Sequence, residues 1–341
     1  MTRSFLRRKN MNKKHGLFIG FAVLLTAIFT FTTCASSVAT KNATSVFDLE
    51  RKIVMLNNGV EMPVLGLGTY RLTDEEAENS VYHALLSGYS LIDTARSYRN
   101  EEAVGRGIKR SGVPRENVFI TTKLWPSDYG NIAEAINSSL QRLDVDYIDL
   151  LLIHQPWGDF IEAYKAIEIA VNEGKVRSIG LSNFYQRNFN AILEIATIPP
   201  AVLQNERNPF FQQDEMLEHI APYGTVMMAW FPLGGRGDNI EPSVLQRSLF
   251  ENEVILQIAE AHGKSAAQII LRWNIQSGGI AIPGSRNPVH ILENISIFDF
   301  ELTREEMQMI AALETGIPAF DFRDTAEQPV FESFRPPQPN N

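Results

Sequence analysis

The stretch Ile148-Asp-Leu-Leu-Leu-Ile-His154 is a short apolar run that ends in a histidine. Two other apolar runs are followed in the same way by chemically active side chains, one by Asp93 and one by Lys123. Asp93 and Lys123 are 30 residues apart, and Lys123 and His154 are 31 residues apart. Because one strand, one returning helix and their loops fill an interval of that size, the spacing predicts neighbouring parallel strands.

Eight β-branched or apolar runs of this kind alternate with amphipathic stretches along the chain. The runs occupy residues 64–68, 90–93, 118–123, 147–154, 176–182, 201–204, 225–230 and 279–283. The amphipathic stretches, which predict helices, occupy residues 74–87, 101–110, 129–142, 159–173, 186–196, 213–222 and 266–276. Ahead of them, residues 52–62 predict a hairpin that turns at Asn57-Asn58-Gly59. The predicted fold is therefore α/β, a (β/α)8 TIM barrel with an N-terminal β-hairpin cap.

A doubly wound sheet that binds a dinucleotide is the competing architecture. Its fingerprint requires Gly-x-Gly-x-x-Gly after the first strand. Here Gly66-Leu-Gly68-Thr-Tyr-Arg71 has an arginine where the third glycine belongs. The sequence therefore favours the barrel.

The first 40 residues differ from the rest of the chain. They contain six basic residues and no acidic residue, and an apolar run extends from Gly16 to about Thr33. This pattern predicts a signal peptide or membrane anchor in residues 1–40, followed by one barrel with a C-terminal tail in residues 41–341. Three fates stay open: cleavage after Ser37-Val38-Ala39, lipidation at Cys34, or retention as a membrane span. We expect an exported or membrane-anchored protein, or a cytoplasmic one if the leader is not part of the natural protein.

Composition excludes several classes of function. The net charge is −9, and it becomes −15 once the six basic residues of the leader are set aside, so we expect no nucleic-acid partner. Only His154 among the six histidines ends a predicted strand, so we expect no metal site. Glycoside hydrolysis needs two opposed carboxylates, whereas the fourth and seventh predicted strands end in His154 and Trp230. We expect a monomer that acts on a small molecule.

Active sites of such barrels lie at the carboxyl ends of the strands, where the sequence places Asp93, Tyr98, Lys123 and His154. A lysine ammonium is expected to lower the pKa of a neighbouring phenol, and an aspartate would hold that lysine in place. A histidine can orient a carbonyl oxygen by a hydrogen bond. The set suits protonation of a carbonyl oxygen while hydride from a nicotinamide reaches the carbon. By contrast, we expect Asn100-Glu101 to cap the following helix rather than to take part in chemistry.

The segments that carry these residues resemble the aldo/keto reductase family over residues 52 to about 322. The matching segments are Gly66-Leu-Gly-Thr-Tyr70, Leu91-Ile-Asp-Thr-Ala-Arg-Ser-Tyr-Arg-Asn-Glu101, Thr121-Thr-Lys-Leu-Trp125, Leu152-Ile-His-Gln-Pro156, Gly180-Leu-Ser-Asn-Phe184, Gln204-Asn-Glu206, Ala229-Trp-Phe-Pro-Leu-Gly234, and Ile282-Pro-Gly-Ser-Arg286 with Glu293-Asn294. The resemblance implies NADP-dependent reduction of aldehyde or ketone carbonyls to alcohols. Its catalytic residues would be Asp93, Tyr98, Lys123 and His154, with Tyr98 as the general acid.

The resemblance also implies where the cofactor and the substrate bind. The expected cofactor residues are Thr69, Tyr70, Asp93, Ser182, Asn183, Gln204, Trp230, Phe231, Pro232, Leu233, Gly234, Pro283, Gly284, Ser285, Arg286, His290, Glu293 and Asn294. The expected substrate pocket is formed by Tyr70, Trp125, His154 and Trp157, and residues 233–249 and 319–334 are expected to set specificity. Many members carry a lysine at the position of Gly284 and an arginine at that of His290. With Arg286 standing in for them, we expect NADPH to be preferred over NADH.

A second function remains open because the predicted leader places the barrel outside the cytoplasm, where free NADPH is not expected. The chain would then be a surface-anchored, non-catalytic barrel that binds nucleotide or acts as a scaffold. The complete set of Asp93, Tyr98, Lys123 and His154 favours the enzyme, since a binding module needs no tuned phenol.

Overall fold

The computed structural model describes residues 45–235 and 244–323. The predicted signal peptide or anchor, its boundary at residue 40, and the lipidation site at Cys34 lie outside the described residues. Parts of the two segments expected to set specificity, residues 236–243 and 324–334, also lie outside them. Within the described ranges, no helix has both the length and the apolar character needed to cross a membrane.

Three short antiparallel strands precede the barrel. They are β1 (Val46–Asp48), β2 (Ile53–Met55) and β3 (Glu61–Pro63), paired in the order β1-β2-β3. The turn between β2 and β3 closes through the Leu56 N–H, which donates to the Val60 carbonyl over 2.9 Å, while Gly59 adopts a φ of 82°. The predicted hairpin is confirmed. The sequence prediction missed β1, a three-residue strand that is only partly buried.

Eight parallel strands form the barrel sheet, and each pairs with the next along the chain. They are β4 (Leu67–Gly68), β5 (Leu91–Asp93), β6 (Phe119–Leu124), β7 (Ile148–Ile153), β8 (Val176–Ser182), β9 (Val202–Glu206), β10 (Val226–Trp230) and β11 (Gly279–Ala281). The sheet closes where Leu65 bridges Ala281 and the Gly68 N–H donates to the Pro283 carbonyl over 3.2 Å. Gly68 permits this closure, because a Cβ there would lie 2.7 Å from the Ile282 carbonyl oxygen. All eight predicted strands are confirmed.

Eleven helices accompany the strands in the described part of the chain. They are α1 (Asp74–Leu86), α2 (Glu101–Ser111), α3 (Ile132–Leu143), α4 (Phe160–Asn172), α5 (Gln186–Leu193), α6 (Asp214–Ile220), α7 (Val244–Phe250), α8 (Glu253–His262), α9 (Ala266–Gln276), α10 (Pro288–Ile295) and α11 (Arg304–Ala311). The seven predicted helices are confirmed, although α3 starts three residues late because a 3-10 turn, Pro126–Asn131, precedes it. Four helices were missed: α7, α8, α10 and α11.

Strand β7 shows why barrel strands appear as apolar runs in the sequence. All six of its residues are buried, as expected for a strand covered on both faces. Its one charged residue, Asp149, accepts hydrogen bonds from the Ile120 N–H at 3.0 Å and from Arg115 Nη2 at 2.7 Å. Arg177 Nη1 pairs with its other oxygen at 2.9 Å. Because a buried carboxylate must be paired, Asp149 is tolerated there as a structural link between strands.

Candidate active site

A cleft of about 1990 Å³ is lined by residues at and beyond the carboxyl ends of the barrel strands. Most residues predicted for the cofactor and the substrate line it, from Tyr70 to Asn294. Three predicted residues do not: Thr69, Lys123 and Gly234. Thr69 is fully buried, and its hydroxyl donates to the Asp93 carbonyl over 3.0 Å. Lys123 is also fully buried and reaches the cleft only through its neighbours.

Lys123, near the end of β6, organises the predicted catalytic residues. Its Nζ donates to Asp93 Oδ1 at 2.6 Å, to the Thr94 carbonyl at 2.8 Å and to Tyr98 Oη at 3.1 Å. An ammonium group carries three protons, so each has one acceptor. The second carboxylate oxygen of Asp93 accepts from Gln204 Nε2 at 2.7 Å. A continuous chain of polar contacts therefore runs from β9 through β5 and β6 to the Tyr98 hydroxyl.

Tyr98 is held by a loop that is fixed through the side chain of Asn100. Tyr98 ends a 3-10 turn, Arg96–Tyr98, which the left-handed residue Arg99 terminates. Asn100 Nδ2 donates to the Thr69 carbonyl at 2.9 Å and to the Leu72 carbonyl at 3.2 Å. The prediction that Asn100-Glu101 caps α2 was wrong, because no side-chain hydrogen bond caps the helix. Asn100 occupies the N-cap position but makes no capping hydrogen bond.

The buried carboxylate of Glu101 also has a different role from the one predicted. It accepts from Thr122 Oγ1 at 2.6 Å and pairs with Arg142 Nε at 2.7 Å. Glu101 therefore joins the start of α2 to β6 and α3, and supports the strand that carries Lys123.

Burial determines the protonation of Tyr98 and His154, the two predicted catalytic groups with titratable rings that line the cleft. It raises the pKa of the Tyr98 phenol well above its usual value, and the charge of Asp93 adds to this shift. Burial outweighs the lowering expected from Lys123, so Tyr98 is a neutral phenol at neutral pH. Burial lowers the pKa of His154 well below its usual value, with the Lys123 charge adding to the effect. His154 is therefore a neutral imidazole.

Aromatic rings surround Tyr98 and His154. The Tyr70 ring lies 5.0 Å from that of Tyr98, and Trp125 contacts His154 edge-on at 5.0 Å between ring centroids. Trp157 in turn contacts Trp125 edge-on at 5.8 Å. The structure thus brings together all four residues predicted for the substrate pocket. Their side chains give the pocket apolar, flat walls.

Two residues that the sequence analysis missed support this part of the cleft. Asp128 accepts from the Trp125 N–H at 2.9 Å and pairs with Arg96 Nε at 3.2 Å, which ties the loop of Trp125 to the turn of Tyr98. Ser97 Oγ lies 3.4 Å from His154 Nδ1. Neither residue follows an apolar run, so strand-end position gave no signal for them.

The predicted nicotinamide residues meet beside the predicted catalytic residues. Asn183 has a φ of 63°, and its Nδ2 donates to the His154 carbonyl at 3.1 Å. Trp230 Nε1 donates to Asn183 Oδ1 at 3.0 Å. Ser182 is buried next to Asn183, and neither caps a helix, since α5 follows Tyr185 with no side-chain cap. These contacts fix the Trp230 ring at the edge of the cleft.

The predicted adenosine residues lie in the loop after β11 and on α10. Arg286 Nη1 pairs with Glu76 Oε1 of α1 at 2.8 Å, and the Arg286 side chain is 39% exposed to solvent. Gly284 lets this loop approach β4, because a Cβ there would lie 2.9 Å from the Gly68 carbonyl oxygen. Ser285, His290, Glu293 and Asn294 line the same end of the cleft.

Comparison with known proteins agrees with this geometry. Residues 64–315 match the model of the "Aldo/keto reductase family". The morphine 6-dehydrogenase of Pseudomonas putida is 44% identical over 78% of this chain and 92% of its own length. The glyoxal reductase of Bacillus subtilis is 45% identical over 76% of this chain and 92% of its own length.

Solved structures agree as well. An aldo-keto reductase enzyme from a Medee basin deep-sea metagenome library superposes with a TM-score of 0.76 at 40% identity, covering 80% of this chain and 99% of that one. An aldo/keto reductase from Brucella melitensis gives a TM-score of 0.71 at 41% identity, covering 76% and 98%. With the family model, these relatives and the closed eight-stranded sheet in agreement, the chain belongs to the aldo/keto reductase family.

Proposed function

We propose that this enzyme reduces aldehydes or ketones to alcohols with NADPH, and that Tyr98 is the general acid. The observation that carries the proposal is the position of the Tyr98 hydroxyl in the cleft, 3.1 Å from the fully buried Nζ of Lys123. A neutral phenol held against an ammonium can give up a proton, because the ammonium stabilises the phenolate that forms. Asp93 and the Thr94 carbonyl hold that ammonium in place.

His154 would orient the substrate carbonyl. As a neutral imidazole it has one N–H donor, and a hydroxyl donating to Nδ1 leaves that donor on Nε2. Ser97 Oγ lies 3.4 Å from Nδ1 and can donate to it in this tautomer. The carbonyl oxygen would then accept hydrogen bonds from both His154 and Tyr98, the arrangement that favours proton transfer from Tyr98.

The cleft offers groups that fit a nicotinamide dinucleotide along its length. Such a cofactor supplies the hydride that reduces the carbonyl carbon. The amides of Asn183 and Gln204 and the ring of Trp230 suit an aromatic carboxamide beside Tyr98. At the other end, the exposed guanidinium of Arg286 and the hydroxyl of Ser285 suit phosphate groups. The other predicted cofactor residues that line the cleft are proposed on the same basis.

Arg286 supports NADPH rather than NADH. A guanidinium can bind the 2′-phosphate through two parallel hydrogen bonds, whereas NADH offers no phosphate at that position. Glu76 uses Nη1 of Arg286, so the phosphate would bind the other donors of the guanidinium. Many family members have cationic residues at the positions of Gly284 and His290. Here the proposed preference for NADPH depends on Arg286.

The substrate is proposed to be an apolar or aromatic carbonyl compound. The relatives are named for two different compounds, morphine and glyoxal, so their names do not select one substrate. The walls formed by Tyr70, Trp125 and Trp157 favour flat, apolar groups next to the carbonyl.

The cellular location of the protein is proposed from the pattern of residues 1–40. A signal peptide or anchor there would export the barrel or attach it to a membrane, and we expect the barrel itself to act as a monomer. Mass spectrometry of the mature N-terminus would distinguish cleavage after Ala39, lipidation at Cys34 and an intact leader. A chain that begins downstream of the leader at a residue other than Thr40 would indicate a different translation start and a cytoplasmic enzyme.

Turnover of a reactive aldehyde tests the proposed function. Residues 41–341 would be mixed with NADPH and 4-nitrobenzaldehyde, and NADPH absorbance followed. We expect steady oxidation of NADPH with formation of the alcohol. Binding of NADPH without turnover of any aldehyde would contradict the proposal and would favour the non-catalytic, nucleotide-binding barrel.

A further inference from the structure

Glu206 is a fully buried carboxylate that the proposed chemistry does not use. It ends β9, two residues after Gln204. In the described part of the chain its hydrogen-bond partners are neutral donors. The Ala319 N–H lies 2.9 Å from both carboxylate oxygens, the Phe320 N–H lies 3.3 Å from Oε2, and Asn208 Nδ2 lies 3.1 Å from Oε1.

These contacts attach the C-terminal segment to the barrel by its main chain. Burying a charge is costly unless donors compensate it, and a carboxylate that accepts from backbone amides makes strong hydrogen bonds. Earlier in the same segment, the Thr315 N–H and hydroxyl both donate to the Phe210 carbonyl, at 3.0 and 2.7 Å. Glu206 provides the next main-chain attachment, immediately before the residues that enter the cleft.

The attached segment carries two aromatic rings of the cleft. The Phe320 ring lies 6.3 Å from Trp230 and 6.1 Å from Phe231, and the Phe322 ring contacts Trp230 edge-on at 6.0 Å. Both phenylalanines line the cleft. Their positions depend on the path of residues 319–322, and Glu206 holds the start of that path.

We propose that Glu206 is a positioning residue that fixes residues 319–322, so that Phe320 and Phe322 form an aromatic wall beside Trp230. This wall selects bulky aromatic carbonyl substrates. The substrate part of this inference rests on the proposed function. A small aldehyde reaches Tyr98 and His154 without needing this wall, whereas a bulky one loses contacts when the wall moves.

Glu168 provides a matched control. It is also a buried carboxylate, and its Oε1 accepts from the Thr197 and Ile198 N–H groups at 2.7 Å each. It lies on α4, outside the residues that line the cleft. Glu206→Gln and Glu168→Gln therefore weaken the same kind of main-chain attachment, one next to the cleft and one away from it.

The test compares two aldehydes and the exchange of backbone amides. For Glu206→Gln we expect kcat/KM to fall roughly tenfold for 4-nitrobenzaldehyde, mainly through KM, as loss of one or two aromatic contacts would give. For glyoxal we expect less than a twofold to threefold change, the spread of a neutral substitution. Amide hydrogen exchange should become faster around residues 319–320 in Glu206→Gln, and around 197–198 in Glu168→Gln. Phe322→Ala, which leaves the attachment in place, should give the same substrate split.

Each other outcome counts against the inference. Parallel loss for both aldehydes would show a general structural role, and unchanged exchange at residues 319–320 would show that Glu206 does not hold the segment. A parent enzyme that reduces neither aldehyde would overturn the proposed function and the substrate role together. The exchange comparison would then still decide whether the attachment exists.

Discussion

The buried pair of Asp93 and Lys123 gives a quantitative prediction about stability. Lys123→Met keeps the length of the side chain and removes the ammonium, which leaves the Asp93 carboxylate with Gln204 Nε2 and no cation. Removing one partner of a buried ion pair costs about 3–5 kcal/mol, since the other charge is left uncompensated. We expect that loss in the free energy of unfolding for Lys123→Met, and a similar loss for Asp93→Asn.

The double variant separates the pair from its surroundings. With both charges removed, no uncompensated charge remains. The double variant should therefore lose less unfolding free energy than the two single variants lose together, by about 2–3 kcal/mol. Urea unfolding followed by tryptophan fluorescence gives the four free energies. The exposed pair Lys165–Glu162 is the control, because surface ion pairs show little or no coupling. Additive losses at Asp93 and Lys123, or single losses below about 1 kcal/mol, would refute the assignment of a buried, charged pair.

Three further predictions concern cofactor choice, pH dependence and loop anchoring. Arg286→Ala should raise the Kd for NADPH roughly tenfold or more and leave that for NADH unchanged, because a charge-assisted contact contributes about 1.5–3 kcal/mol; equal effects on both cofactors, measured by fluorescence titration, would contradict the proposed clamp. Burial raises the pKa of Glu206 to about 7, so protonated Glu206 stabilises the folded state. This stabilisation is complete below the ordinary carboxyl pKa and is lost as pH rises through about 7. Relative to Glu206→Gln, the parent should therefore lose about 1 kcal/mol of unfolding free energy between pH 6 and 8.5, and a constant difference in urea unfolding would argue against it. Asn100→Ala should cost about 3 kcal/mol, because it leaves buried carbonyls of the Thr69 loop without donors; a thermal denaturation midpoint equal to that of the parent would disagree.

The barrel was predictable because its strands are buried on both faces and appear as apolar runs. Closure of the sheet brings their ends together, so Asp93, Lys123 and His154 could be placed from strand position alone. β1 was missed because it has three residues with little burial. Helix α8 begins after the capping residue Asn252, in the long stretch between β10 and β11, and no strand marks its limits among the described residues of that stretch.

The supporting residues of the site were less predictable, since their roles depend on contacts far along the chain. Asn100 and Glu101 have the sequence of a helix start, but their side chains bond Thr69, Leu72 and Thr122 instead. Glu206 bonds amides more than 110 residues away. The net direction of the Tyr98 pKa shift was also missed, because its largest cause is the burial of the phenol, which the order of residues along the chain does not give.

The most direct test of the account is the turnover of Tyr98→Phe beside Tyr89→Phe. The Tyr89 hydroxyl is buried and donates to the Ile291 carbonyl at 3.1 Å, so its removal controls for the loss of a buried hydroxyl in the barrel. Because Tyr98 is proposed as the general acid, Tyr98→Phe should lower kcat for 4-nitrobenzaldehyde by about a hundredfold or more while NADPH still binds. Tyr89→Phe should keep most of the activity. If Tyr98→Phe reduced the aldehyde within a few-fold of the parent rate, Tyr98 would not be the acid and the central claim would be contradicted.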